Sequence, residues 1–149
     1  MQGLWIAMKT EQQIIRNAGF KITVPRLLVL EALRVCEKQG EHLSAEALFR
    51  RILADGGHLS LAAVYRILAQ FEAAGLVTRH QFFTDSNRAV YQLANSSKHH
   101  HHMVCADTGD ILEFNHNALE KMENEIAAAH GFEIINSQVV FHVRKIGTR

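Results

Sequence analysis

Four consecutive histidines at positions 99–102 are the residues of this sequence whose type and spacing most clearly suit chemistry. An apolar segment follows them directly, which is typical of a β-strand and argues against an affinity tag; a solvated loop and unrelated strand histidines remain alternatives. Side chains alternate across a strand, so His100 and His102 face one side while His99 and His101 face the other. Because imidazoles bind divalent metals, one short strand could serve two separate metal sites.

A predicted hairpin adds a carboxylate to one of these faces. The Asp-Thr-Gly-Asp segment that follows the strand predicts a two-residue loop at Thr108 and Gly109. In that register Glu113 lies diagonal to His102, on the same face as His100 and His102. Two imidazoles and a carboxylate suit Fe(II), Zn(II), Mn(II) or Ni(II), and the geometry of the site would choose among them.

Composition limits the other classes of function. A chain of 149 residues with 48% hydrophobic residues predicts a soluble globular protein of one domain or two small ones. It has no apolar run of about 18 residues and no secretory signal, so we expect a cytoplasmic protein. The net charge of +1 gives no argument for nucleic acid by itself. Cys36 and Cys105 are too few for a disulfide framework, and nothing in the sequence favours an enzyme.

The first part of the chain has the apolar periodicity and capping residues of four helices. Thr23 is the expected N-cap of a helix over residues 24–37, and Ser44 and Ser60 are the expected N-caps of the third and fourth helices. Gly75 is expected to end the fourth helix, which spans residues from 61 onward. Two helices joined by a short glycine-bearing turn form either an ordinary hairpin or a DNA-binding helix-turn-helix.

The strands that follow favour the DNA-binding helix-turn-helix. Residues 76–83 and 89–93 have strand composition and flank a turn-rich segment, and a helix-turn-helix followed by a β-hairpin is the winged-helix pattern. Residues 95–98 form a polar linker. Beyond it we predict strands at 99–106, 111–114 and 132–144 and a helix at about 117–129.

The predicted fold class is therefore α+β, with two domains. The second domain is too small to build much of a core alone, so we expect it to dimerise. The predicted organisation is a winged helix-turn-helix DNA-binding domain over residues 1–94 (of which 1–7 could be an upstream extension), a linker over 95–98, and an α/β dimerisation and metal-binding domain over 99–149.

From about residue 9 to 143, the sequence resembles the ferric uptake regulator family of bacterial metal-sensing repressors. The combined order and spacing of several motifs make the resemblance specific. They are GFKITVPR at 19–26, HLSAE at 42–46, AVYR at 63–66, QFEAAG at 70–75 and the segment 99–114. The resemblance implies a winged helix for DNA, a dimerisation domain and a regulatory metal.

Carried over residue by residue, the resemblance implies a regulatory site of His42, His100, His102 and Glu113. His42 belongs to the first domain, so a metal bound by residues of both domains would favour the geometry that it can bridge. The family's further acidic ligand falls on Gln92, and an amide is a weaker ligand. Metal affinity or preference could therefore differ from that of other members.

The family's second metal site would use His99, His101 and Glu120. Its usual last histidine falls near Ser137, which makes this site less certain. The structural zinc of many members needs two Cys-x-x-Cys pairs, of which Cys105 alone is present here, so we expect no four-cysteine zinc. Three other histidines could compensate for Ser137: His116, His130 and His142.

For DNA, the resemblance implies that the helix over residues 61–74 enters the major groove. A tyrosine ring can pack on thymine methyl groups, which suits the A·T-rich palindromes that this family recognises. The plainer alternative for Tyr65 is a half-buried helix aromatic. The expected contacts are Ser60, Tyr65 and Arg66 near bases or phosphates, with Lys21 and Arg26 on the backbone or in the minor groove.

The sequence thus predicts a dimeric, metal-dependent transcriptional repressor. Its expected partners are double-stranded operator DNA and a second copy of the chain, with tetramers left open and neither a membrane nor a small organic substrate expected. Fe(II) is the expected metal in the cell, and Zn(II)- or Mn(II)-responsive and peroxide-sensing members are alternatives. A histidine-rich metalloprotein without DNA binding is the alternative from another class.

Overall fold

The computed structural model describes residues 2–82, 89–94, 101–135 and 137–147. The chain divides into two compact units, Met1–Ser96 and Ser97–Arg149. Each unit contains helices and strands, which confirms the predicted α+β class. Among the described residues, no helix combines the length and the apolar character needed to cross a bilayer.

The first unit has the element order of a winged helix. Four helices precede an antiparallel pair of strands, and Leu43 forms an additional bridge to Tyr91 of the second strand. The predicted turn of the wing falls on residues that are outside the described ranges. The elements are α1 (Gln2–Asn17), α2 (Val24–Gln39), α3 (Ala45–Ala54), α4 (Leu61–Ala73), β1 (Val77–His80) and β2 (Val90–Leu93).

Side-chain caps fix the starts of three helices, as the sequence predicted. The hydroxyls of Thr23, Ser44 and Ser60 each accept a hydrogen bond from a backbone N–H three residues later. Such a cap satisfies one of the backbone donors that a helix start leaves unpaired. Gly75, with a φ of 74°, follows the end of α4 in the left-handed conformation expected there.

The core of the first unit is built from one face of each helix. Along α4, Val64, Leu68 and Phe71 are fully buried, and the Phe71 ring lies 5.8 Å from the Phe20 ring. The opposite face of α4, including Tyr65 and Arg66, is exposed. Burial of the apolar stripe therefore determines which face of α4 is available to a partner.

A contact between a buried carboxyl group and a partly exposed guanidinium joins α1 to α2. An oxygen of the Glu11 carboxylate lies 3.3 Å from Nη1 of Arg34, and Glu11 is only 5% exposed. Burial raises the pKa of Glu11, and the nearby Arg34 guanidinium opposes that rise only in part. The Glu11 carboxyl group is therefore harder to ionise in the folded protein than in the unfolded chain.

We expect Glu11 to make stability depend on pH. A carboxyl group with a raised pKa in the folded state contributes its stability below its unfolded pKa of about 4.3 and loses that stability as pH rises through the folded value. The free energy of unfolding of the wild type should thus fall relative to that of Glu11→Gln as the pH rises from about 4 through the folded-state pKa of Glu11. Urea unfolding of both proteins across this range tests the sign, and a rise would contradict it.

In its described residues, the second unit contains a three-stranded sheet and one helix. In the order β4-β3-β5, β3 pairs antiparallel with β4 and parallel with β5. Met122 and Ile126 of the helix are 57% and 58% exposed, so the part of the chain that the structure describes leaves these apolar side chains largely uncovered. The elements are β3 (His101–Cys105), β4 (Ile111–Phe114), α5 (Asn117–Ala129) and β5 (Val140–Val143).

The predicted two-residue loop between β3 and β4 is wrong. His102 lies directly opposite Glu113, whereas a two-residue loop would have placed Val104 there. Residues 106–110 connect the two strands, and Gly109 among them has a φ of 76°, which suits a longer loop built around a turn. The register shifts by two residues, an even number, so Glu113 stays on the His102 face.

Two element boundaries also differ from the predictions. Helix α1 begins at Gln2, so it includes residues 2–7, which the sequence suggested could be an upstream extension. Strand β5 covers only Val140–Val143 of the predicted 132–144, since it pairs only where β3 lies beside it. Hydrophobic composition alone did not reveal either limit.

Candidate metal centre and DNA-binding surface

One face of β3 brings an imidazole and a carboxylate together. His102 is 1% exposed, and its Nε2 atom lies 3.9 Å from Oε1 of Glu113. The side-chain amide of Gln138 lies 3.3 Å from Nδ1, the other ring nitrogen of His102. A polar partner on Nδ1 fixes the orientation of the ring and leaves Nε2 directed at Glu113.

These two side chains fit a divalent metal. Nitrogen and carboxylate oxygen ligands bind zinc at about 2.0–2.2 Å, so neighbouring ligand atoms on one tetrahedral ion are about 3.4 Å apart. The 3.9 Å between His102 and Glu113 would close to that value with a small side-chain movement. Glu113 lies near the surface, where its side chain can make this adjustment.

The other face of β3 carries His101, which is fully buried. Its Nε2 atom lies 3.7 Å from a carboxylate oxygen of Glu123, and its ring centroid is 5.5 Å from that of Phe114. The backbone N–H of Val139 donates to Nδ1 at 3.3 Å. The carboxylate beside His101 is thus Glu123, one helical turn after Glu120, the residue implied by the resemblance.

The remaining predicted ligands, and the two positions where a ligand of the family is replaced, are distributed along the chain. His42 lies in the α2–α3 connection of the first unit, with its ring centroid 6.3 Å from that of Phe82. Gln92 lies on β2 opposite Thr78, and Ser137 precedes β5. His99 and His100 lie outside the described residues.

The two cysteines are too few for a four-thiolate zinc site within one chain. Cys36 and Cys105 are both buried and carry no disulfide. Thr108 occupies the position that would complete a Cys-x-x-Cys pair after Cys105, and its hydroxyl donates to the Asp110 carboxylate at 2.6 Å. With two cysteines in the sequence, four thiolates cannot come from one chain.

The exposed face of α4 presents a tyrosine and an arginine. Tyr65 is 43% exposed, and its hydroxyl donates a hydrogen bond to the carboxylate of Glu46 on α3. That bond lowers the pKa of Glu46 and raises the pKa of Tyr65, because it favours a charged carboxylate and a neutral phenol. Ser60, at the N-terminus of α4, is engaged as its cap. Sequence spacing gave no signal for the partnership with Glu46.

Lys21 and Arg26 differ in their surroundings. Lys21 is exposed, whereas Arg26 is partly buried, with its guanidinium 5.1 Å from the Phe20 ring centroid. Arg26 also donates to the Lys21 carbonyl at 2.8 Å and to the Gln70 side chain at 3.2 Å. Arg26 therefore joins the start of α2 to α4, in addition to any contact with DNA.

Comparisons with known proteins agree with this architecture. The model of the ferric uptake regulator family matches residues 17–142. The ferric uptake regulation protein of Pseudomonas aeruginosa is 45% identical over 135 residues, which cover 91% of this chain and 97% of that protein.

Solved structures of ferric uptake regulators are also similar to this chain. The ferric uptake regulator of Pseudomonas aeruginosa with manganese has a TM-score of 0.79 at 44% identity, covering 91% of this chain and 97% of that one. The ferric uptake regulator of Francisella tularensis with iron has a TM-score of 0.72 at 31% identity, covering 85% and 92%. The chain therefore belongs to the ferric uptake regulator family of metal-dependent transcriptional repressors.

Proposed function

We propose that this chain represses genes of iron homeostasis by binding A·T-rich palindromic operators as a homodimer when it is loaded with a divalent metal. The observation that carries the proposal is the pairing of buried His102 with Glu113 in a chain whose other unit is a winged helix. A DNA-binding regulator acts where the DNA is, so we place the protein in the cytoplasm. The proposal includes no catalysis.

The proposed regulatory ligands are His42, His100, His102 and Glu113. The packing of His102 against Glu113 and Gln138 supports part of this set, and the family resemblance supplies the rest. A metal shared by residues from both units would favour the geometry that binds DNA. A second site would use His99, His101 and Glu120, and the position of Glu123 makes it a further candidate ligand there.

Fe(II) is the metal that we propose for the cell. Imidazole and carboxylate ligands accept several divalent ions, so selectivity depends on geometry and on the metals that the cell supplies. The relatives were solved with manganese and with iron, which fits this range of ions. Mn(II) and Zn(II) are the competing ions that a binding experiment must include.

We propose that the second unit forms the dimer. A stripe of exposed apolar side chains on α5 continues at Phe132, which is 73% exposed, and contiguous apolar surface of this kind is typical of an interface. A dimer also presents two copies of α4, as a palindromic operator requires.

Two substitutions separate the proposed roles on DNA. Tyr65→Ala should weaken operator binding by about tenfold with little change for unrelated DNA, because a base contact confers specificity. Lys21→Ala should weaken binding to both DNAs and reduce the salt dependence by about one unit, since a phosphate contact is independent of sequence. Fluorescence anisotropy at several salt concentrations measures both effects, and equal losses of specificity in the two variants would contradict the assignment.

A further inference from the structure

The contact between Tyr65 and Glu46 determines which atoms of the tyrosine are available to DNA. Tyr65 lies on the exposed face of α4, and its only donor, the phenol O–H, is directed at the Glu46 carboxylate. A hydrogen bond to an ionised acceptor is roughly twice as strong as one between neutral groups. A base or phosphate must therefore compete with a charge-assisted bond to use that donor.

The local structure holds Glu46 as an anion. Glu46 lies in the first turn of α3, where the helix dipole favours negative charge. Hydrogen bonds from Tyr65, from its own backbone N–H and from the Ser44 side chain all lower the pKa of Glu46. The carboxylate is thus a fixed acceptor at neutral pH.

The ring carbons of Tyr65 stay free while its hydroxyl is engaged. The residue remains 43% exposed, and the bond to Glu46 engages only its hydroxyl, so the ring can still meet a partner. In the major groove, thymine differs from the other bases by its C5 methyl group, which an apolar surface contacts favourably. Holding the phenol in one position reduces the rotamer freedom that DNA binding would otherwise restrict.

We propose that Glu46 is a positioning residue for operator recognition: it occupies the hydroxyl of Tyr65 and fixes the ring so that Tyr65 recognises thymine methyl groups. This inference rests on the DNA-binding function proposed above. Glu46 also places a negative charge beside Tyr65, which weakens binding to every DNA sequence by repelling phosphates. Glu46 thus lowers the affinity for DNA of any sequence and raises the preference for sequences that contain thymine at the contacted positions.

The test compares operator duplexes that contain thymine or deoxyuridine, which differ by the methyl group alone. Wild-type protein loaded with Mn(II) should bind the thymine duplex more tightly, by about fourfold for each methyl contact. Glu46→Ala should lose most of this preference and bind unrelated DNA more tightly. Glu46→Gln should keep the preference, since its amide oxygen still accepts the bond, while general affinity rises.

Matched controls separate the effect of the negative charge of Glu46 from its effect on the position of the Tyr65 ring. Glu72→Ala removes an exposed carboxylate from the same unit and should change general affinity without altering the thymine preference. Tyr65→Phe keeps the ring and removes the hydroxyl, so adding Glu46→Ala to it should cause no further loss of preference. Without DNA, Glu46→Ala should shift phenolate absorbance to lower pH, because the bond that stabilises the neutral phenol is absent.

The outcomes distinguish this inference from the proposed function. The wild type is expected to prefer the palindrome, and its thymine form over its deoxyuridine form. If Glu46→Ala shows the same preference for thymine, the positioning role is overturned. A wild type that binds the palindrome equally with thymine or deoxyuridine also overturns it. If metal-loaded wild type shows no preference for the palindrome over a scrambled duplex, the proposed function fails, and this inference fails with it.

Discussion

Replacement of His102 with alanine is expected to lower the affinity for the regulatory metal at least about a hundredfold and to abolish metal-dependent operator binding. Loss of a residue that only orients a ligand costs about 10–100-fold in metal affinity, and loss of the ligand itself should cost more. His102 is buried, and its Nε2 atom faces Glu113, so alanine at this position removes the imidazole that lies beside that carboxylate. Competition with a chromophoric chelator measures metal affinity, and anisotropy measures DNA binding.

Two further variants show whether a loss of metal binding comes from the missing ligand or from a change in folding. Glu113→Gln changes a residue near the surface and should also weaken metal binding, with little loss of packing. His58→Ala removes an exposed imidazole from the first unit and should leave metal affinity unchanged. Metal-dependent operator binding by a folded His102→Ala protein would show that this ligand is wrongly assigned.

Replacement of Leu68 with alanine is expected to destabilise the first unit by about 2–5 kcal/mol. Leu68 is fully buried where α4 packs on the core, and truncation leaves a cavity that close-packed neighbours fill only in part. Since domains of this size are marginally stable, operator binding should be lost at temperatures that the wild type tolerates. Urea unfolding followed by circular dichroism measures the change.

A leucine on the surface provides the comparison. Leu53 on α3 is 43% exposed, so Leu53→Ala should change stability by about 0.5 kcal/mol or less. A similar loss in the two variants would mean that burial on α4 does not control the stability of the unit. Retention of operator binding by an unfolded Leu68→Ala protein would contradict the role of the first unit.

Local signals predicted most of the first unit correctly. The caps at Thr23, Ser44 and Ser60 each depend on residues within three positions, so the sequence alone defines them. The apolar stripe of α4 likewise indicated its buried face. The start of α1 was missed because a segment without a strong N-cap gives no clear boundary signal.

Contacts that depend on distant residues were not predictable from spacing. Gln138 reaches His102 only because β5 pairs with β3, and Glu123 reaches His101 only because the fold brings one residue of α5 beside β3. The bond between Tyr65 and Glu46 depends on how α4 crosses α3. Strand alternation nevertheless placed Glu113 on the correct face, since an error of two residues preserves the side of the sheet.

The measurement that tests the central claim most directly is anaerobic fluorescence anisotropy of the wild-type protein with an A·T-rich palindrome and a scrambled duplex of equal composition. Fe(II), Mn(II) and Zn(II) are titrated in turn against a chelator control at one fixed salt concentration, because salt sets the affinity for phosphates. We predict tight binding to the palindrome only when metal is present, with the order of effectiveness identifying the preferred ion. Metal-loaded, folded protein that binds both duplexes equally, and that enriches no sequence from genomic DNA, would contradict the claim and fit a histidine-rich metalloprotein without DNA binding.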